Sequence, residues 1–241
     1  QSILTVLGRA GAVGVDLRRT ALWGADLRGA SLERAILTGA KLAGVDFSGA
    51  NLSGAGLQGV NLTGARLRGV NLADADLTDA RLGGADLTDA NLARAHLTGV
   101  QLTGADLAGA NLVDTDLGGI ALENAALARA RLDRARLPAA HLPNAVLTGA
   151  SLDGADLHEA DLSAANLQGA SAVQANLQGA RLVGANLRRA DLTEANASRC
   201  ALNEADLSGA TLRKINLYLA DLDQAVLVEA DLCEADLIGA E

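Results

Sequence analysis

Leucine returns every five residues along nearly the whole chain. Of the 47 centres from Leu7 to Leu237, 43 are leucine; the exceptions are Ala12, Phe47, Ala172 and Ala197. Ala25-Asp26-Leu27-Arg28-Gly29 shows the unit. A small apolar residue stands two before the leucine and Asp, Asn, Ser or Arg one before it. A polar or small residue follows, then often glycine. An α-helix cannot use this period, because a step of five turns each leucine about 140° around the axis and no apolar stripe forms. A straight strand fails as well, since an odd repeat places successive leucines on opposite faces. The pattern works if the chain turns a corner in every pentad. The alanine and the leucine two later then point inward, and the other three residues face outward or make the turn, where glycine eases the backbone.

Composition agrees with a regular interior. Hydrophobic residues make up 49% of the 241, yet the chain has one Trp, one Tyr and one Phe. An irregular globular core needs large side chains of varied shape; a core filled by Leu and Ala has to be repetitive.

These tandem A-(D/N)-L-x-x units, running from about Val15 to Ala240, resemble the pentapeptide-repeat family. The resemblance implies an all-β fold, a right-handed quadrilateral parallel β-helix with four pentads per coil and about 12 coils of 20 residues. With stacked strands roughly 4.8 Å apart it would be about 55 Å long. Residues 1–14 fit the motif poorly and read as a degenerate first coil or N-terminal cap; 15–241 read as a single repeat domain. No methionine is present, so the chain is expected to be processed, trimmed or part of something longer. The opening residues lack the basic start of a signal peptide. No apolar run approaches the roughly 20 residues of a spanning helix. Cys200 and Cys233 do not suggest a disulfide framework. A soluble, cytoplasmic protein without a membrane partner is expected.

Residues 20 apart should stack. Asn51, Asn71, Asn91 and Asn111 then form an amide column. Arg34, Asp74, Arg94, Asp114 and Arg134, and later Glu194, Lys214 and Glu234, form columns whose signs alternate, which suits lateral pairing of neighbouring coils. Charge also varies along the chain. Residues 1–70 carry net +4, residues 71–120 net −6 and residues 201–241 net −7, within a total of −9. The C-terminal stretch places Tyr218, Leu219, Val226, Val228 and Ile238 at outward positions, more than scattered surface apolars account for. They are candidates for a contact with a partner, a second subunit or an adjoining domain. Trp23 is a similar outward residue near the N-terminus.

The residue types that carry chemistry are sparse. His96 and His141 precede a leucine and His158 follows one, so all three should be exposed, with His141 and His158 placed to meet across a corner. Cys200 replaces an inward alanine and Cys233 should be exposed. Pro138 and Pro143 follow core leucines; proline removes a ladder donor, so a local irregularity is expected there. Ala172 and Ala197 should leave the core thin. The glycines are periodic turn residues rather than a phosphate-cradling loop. No catalytic, cofactor or metal residues are assigned, and no enzyme activity is expected. Direct nucleic-acid binding is not expected either, since Arg18, Arg19, Arg28, Arg34, Lys41, Arg66 and Arg68 are spread over several faces without interleaved aromatics.

The leading functional expectation is a non-enzymatic structural scaffold or protein-interaction module. The alternative follows from the resemblance. Quinolone-resistance members of the family bind DNA gyrase or topoisomerase IV, and acidic rods among them were proposed to mimic DNA and to dimerise through their C-terminal ends. On that reading a type II topoisomerase is the partner, and the acidic surface is Asp206, Asp221, Asp223, Glu229, Asp231, Glu234 and Asp236. The basic N-terminal third and the absence of interrupting loops weigh against it.

Overall fold

The computed structural model describes residues 13–241, and the backbone follows one rule in every described pentad. A bridge residue precedes the leucine, and two turn residues follow it. The chain divides into two compact units, Gln1–Asp116 and Leu117–Glu241. In the first, parallel bridges join residues 20 apart, from Asp16 with Ile36 to His96 with Asp116. In the second the same spacing runs from Ala121 with His141 to Asn216 with Asp236. Each unit is therefore a parallel β-helix of 20-residue period, and no helix occurs among the described residues. The expected cap over 1–14 lies outside the described residues except for Val13, which is exposed, and Gly14.

The hydrogen bonds explain why five residues suffice. Leu32 N–H donates to Asn51 C=O at 2.7 Å and Arg34 N–H to Ser53 C=O at 2.8 Å, both in the next turn of the helix. Asn51 N–H returns to Ala30 C=O at 2.8 Å. Ala35 N–H closes the corner on Leu32 C=O at 3.0 Å. In a pentad stacked on both sides, four amides are thus committed to backbone acceptors. The fifth, on the first turn residue, is taken by the side chain of the bridge residue where that residue is Asp or Asn: Ser53 N–H donates to Asn51 Oδ1 at 3.1 Å and Ser48 N–H to Asp46 Oδ1 at 3.0 Å. The frequent Asp or Asn before each leucine is a local cap for that amide.

The corner is a type II turn, with positive φ at the second turn residue. That conformation holds whatever residue occupies the position: Arg34 has φ 55°, Ala164 54° and Leu219 55°. An L-residue there costs roughly 1–2 kcal/mol, so closing the ladder outweighs the local preference at each of these corners.

Proline fits this turn, which overturns the irregularity expected at Pro138 and Pro143. Both occupy the first turn position, the only one whose amide stays out of the backbone ladder, and the turn pattern passes through them unchanged. Their carbonyls still accept from Gly119 N–H at 2.8 Å and Asn124 N–H at 3.0 Å. The fixed φ of proline is the one a type II turn wants at that place.

Inside, the leucines and the small residues two before them are buried as the period requires, from Leu32 and Ala35 in the first unit to Leu202 and Ala205 in the second. Phe47 is accommodated in full burial. Thr115 takes an inward position and satisfies its hydroxyl by donating to Leu112 C=O at 2.6 Å. Ala197 does leave the core thin: an apolar void of about 10 Å³, lined by Ala197, Leu177, Leu192, Ile215 and Leu217 among others, lies in the second unit. Ile215, which stands where the pattern usually has alanine, takes up part of the space. In the last 20 residues the inward leucines lose cover. Leu222, Leu227 and Leu232 are half-buried and Leu237 is exposed.

Candidate functional site

Stacking at 20 residues turns the outward positions into columns. In the first unit Asn71 donates to Asn51 at 3.1 Å, Asn91 to Asn71 at 3.0 Å and Asn111 to Asn91 at 2.9 Å, as the sequence anticipates. Two further ladders went unanticipated, although the same step of 20 marks them. Asn186 donates to Asn166 at 3.2 Å, and Asn176, Asn196 and Asn216 continue from Asp156. In the alternating columns Arg94 meets Asp74 at 2.8 Å and Lys214 lies 4.0 Å from Glu194. These columns fasten one turn of the helix to the next.

The histidines and cysteines are engaged separately. His141 lies between Glu123, 3.4 Å from Nε2, and Asp161, 3.5 Å from Nδ1, while His158 Nδ1 is 2.8 Å from Asp156. Each is thus held by its own carboxylates. Among the described residues no group of three His, Cys, Asp or Glu side chains converges to hold a metal ion. Cys200 is buried, and burial pushes its thiol up to about 12, so it is inert as a nucleophile. Its Sγ donates to Leu177 C=O at 2.9 Å. Cys233 is exposed and both thiols are free.

The seven C-terminal carboxylates fall in all four pentads of the 20-residue period. Asp206 and Glu229 share one column set, Asp221 and Asp223 the next, Asp231 and Glu234 the third, and Asp236 stands in the fourth. They also differ in partners. Asp206 lies 2.9 Å from Arg188 and Asp231 3.1 Å from Arg213. Asp221 accepts from Asn203 and from Asp223 N–H, Asp223 from Gln224 and Asp236 from Ile238 N–H, all neutral donors. The Asp223 N–H chiefly, with Asn203, holds the Asp221 carboxyl below its ordinary range. For Asp206 the Ser208 hydroxyl has the largest part in the same effect.

The five apolar candidates are exposed, Ile238 at 67% and Val228 at 62%. They form two groups. Tyr218 and Ile238 stand one step apart in a single column, and Leu219 lies over Gly239, where an added Cβ would come within 2.7 Å of its Cδ2. Val226 and Val228 belong to a different pentad of the period. At the other end of the sequence Trp23 is 62% exposed, with Lys41 Nζ 5.2 Å above its ring. Nearby, Arg18 and Arg28 hold Asp16 and Asp26 at about 2 through direct side-chain hydrogen bonds.

Columns of polar side chains on a backbone that only turns corners define a β-helical repeat protein. A family model described as pentapeptide repeats matches in 8 copies, over residues 16–54, 55–92, 85–124, 130–169, 173–213 and 215–241. The chain belongs to the pentapeptide repeat family, and with it to the right-handed β-helices. Similar solved structures include HetL, a pentapeptide repeat protein involved in heterocyst differentiation regulation from the cyanobacterium Nostoc sp. strain PCC 7120. It is 33% identical over 99% of this chain and 94% of that one, with a TM-score of 0.47. A pentapeptide repeat protein from the Arabidopsis thaliana thylakoid lumen is 34% identical over 39% of this chain and 66% of its own, with a TM-score of 0.38. A trypsin-treated variant of QnrB1, a plasmid-mediated fluoroquinolone resistance protein, is 18% identical over 77% of this chain and 88% of its own, with a TM-score of 0.41. The search of curated proteins returned no match. No helix among the described residues is long and apolar enough to cross a membrane.

Proposed function

We propose that the chain is a non-enzymatic scaffold and protein-interaction module, a four-sided β-helix of about 12 coils acting as one domain over 15–241. The unbroken pentad phase through Leu112, Leu117 and Leu122 supports the single domain. The observation that carries the interaction role is the exposed apolar group Tyr218, Leu219 and Ile238, set among carboxylates with neutral partners, with a second exposed pair, Val226 and Val228, in another pentad. An apolar group rimmed by polar side chains is what an interface looks like before it is covered. We place the protein in the cytoplasm, a reading supported by the exposed free thiol of Cys233.

A photocrosslinker installed at 218 or 228 tests the interaction reading, with position 58 as the control. Adducts of defined mass from 218 or 228 and none from 58 are expected. Equal labelling from all three positions removes the surface from consideration.

The DNA-mimic alternative has less support. Its favourable feature is the net charge of −7 over residues 201–241. A duplex mimic has to present its charges along the surface that the partner reads, and here the carboxylates are divided among four pentads, with Asp206 and Asp231 already neutralised by arginine. Inhibition of gyrase supercoiling that weakens on raising the salt would restore this alternative.

A further inference from the structure

In the first unit the carboxylates nearest the N-terminal end are already taken. Asp16 and Asp26 pair with Arg18 and Arg28 at 2.6 Å, Asp46 lies 3.8 Å from Arg66 and Glu33 4.0 Å from Arg34. Arg68 reaches Asp89 at 3.7 Å. Two cations of this stretch are left over. The stem of Arg19 lies against Gly39, its Cγ 3.4 Å from where a Cβ would stand. Lys41 rests over Trp23. Neither forms an ion pair among the described residues, and residues 1–12 contain no carboxylate to offer one.

All three residues stand at or within two residues of a single bridge. Ala21 pairs with Lys41, and Arg19 and Trp23 stand two residues to either side of Ala21. The result is an exposed indole with Lys41 over its ring and a second cation, Arg19, on the far side of Ala21, neither in an ion pair among the described residues. Such a surface favours an occupant that is both apolar and acidic. The chain carries one: Tyr218, Leu219 and Ile238 are exposed, and the adjacent Asp221, Asp223 and Asp236 are met by neutral donors.

We infer that the Trp23–Lys41–Arg19 surface of one copy docks the Tyr218–Leu219–Ile238 surface of a second copy, in a head-to-tail contact. This rests on the reading of the C-terminal group as an interaction surface and names its partner. The contact is heterologous, since two different surfaces meet, and each copy keeps one of each kind free. Association therefore runs on to a ring or an open chain, according to the rotation between copies, and grows with concentration. Because its electrostatic part is exposed at the rim, it weakens as salt rises.

Trp23 and Tyr218 are the chain's single tryptophan and single tyrosine, which makes the contact directly observable. The experiment mixes Trp23→Phe with Tyr218→Phe, so that one copy holds only tyrosine and the other only tryptophan. Tyrosine-excited tryptophan emission in the mixture is expected at low salt, accompanied by larger species in sedimentation. Reversing charge in Arg19→Glu/Lys41→Glu should weaken the association roughly tenfold, and the neutral pair Arg19→Gln/Lys41→Gln should do so by less. Circular dichroism checks that each variant is folded. A chain that stays monomeric at hundreds of micromolar overturns the inference. So does association without energy transfer that is indifferent to the charge reversal, the signature of a symmetric contact between like ends. Crosslinks from 218 to a different protein, with no transfer in the mixture, would sink this inference while leaving the interaction reading in place.

Discussion

Arg94 grips Asp74 across one step of the first β-helix, its Nε and Nη2 each 2.8 Å from a different carboxylate oxygen. The geometry is bidentate, yet the two side chains are 58% and 55% exposed. Water and salt therefore screen the pair, and Arg94→Ala is expected to cost less than about 1 kcal/mol. Asn71 sits inside its ladder instead, donating to Asn51, accepting from Asn91 and capping Ala73 N–H. Asn71→Ala should cost about 1–2 kcal/mol because several partners are lost together. Urea denaturation of the two variants compares them, and the reading fails if Arg94→Ala is the more damaging.

The turn at Pro138 and Pro143 predicts where further prolines are tolerated. Ala128 is a first turn residue preceded by Ala126 at the bridge position, so no side chain caps its amide. Ala128→Pro should be neutral or stabilising by up to about 1 kcal/mol, through a less free unfolded chain. One residue on, Arg129→Pro would lose the bond from Arg129 N–H to Thr148 C=O at 2.9 Å and clash with a φ of 59°. It should cost about 3 kcal/mol or more. Thermal unfolding of the two variants separates adjacent positions by sign.

The small void beside Ala197 predicts a compensating pair. Restoring leucine in Ala197→Leu presses on Ile215, which lines the same void, and should destabilise by about 1–3 kcal/mol. Ile215→Ala alone opens a cavity and should cost about 2–5 kcal/mol. Together the two changes recreate the usual Ala-and-Leu arrangement, so the double variant should lie well above the sum of the singles. Additive losses in a double-mutant cycle would mean that the two side chains do not share the space.

Acid should loosen the molecule through its caps. The Ser48 hydroxyl, opposed by burial and helped by Ser48 N–H, holds the Asp46 carboxyl below its ordinary range. The Ser208 hydroxyl and then Ser208 N–H do the same for Asp206. A carboxyl with a lower pKa folded than unfolded contributes stability fully present above the unfolded value of about 4. That contribution is lost as pH falls through the folded value. The melting temperature should be flat from about pH 5 to 8 and decline below about pH 4. Ser48→Ala/Ser208→Ala should flatten the decline; an unchanged slope would show that other carboxylates govern it.

The fold was readable because one pentad contains the whole instruction: Leu32 and Ala35 go inward for the same reason as Leu202 and Ala205. Columns at a fixed step of 20 were readable too, and Asn176, Asn196 and Asn216 would have been found by carrying that step further. Pro138 and Pro143 depart from the general rule for proline in a sheet because they occupy the one amide position outside the backbone ladder, which the leucine period does not mark. The five C-terminal apolar residues read as one group on the linear chain, but Tyr218, Leu219 and Ile238 separate from Val226 and Val228 once the period is applied. Trp23 and Lys41 lie 18 residues apart, a diagonal contact that a search along columns passes over.

The amide left out of the backbone ladder gives the protein a signature in time as well as in space. In a stacked pentad, protons on three of the other amides exchange with solvent only when neighbouring turns of the helix separate, and the fourth only when its own corner opens. The fifth is shielded by one side chain at most. Deuterium uptake should therefore show fast sites recurring every fifth residue. Uptake should be slower after Asp or Asn, as at Ser48 and Ser53, and faster after an alanine, as at Ala128. The spacing of the repeat would then be written in rates, with the capping residues setting the intensity of each mark.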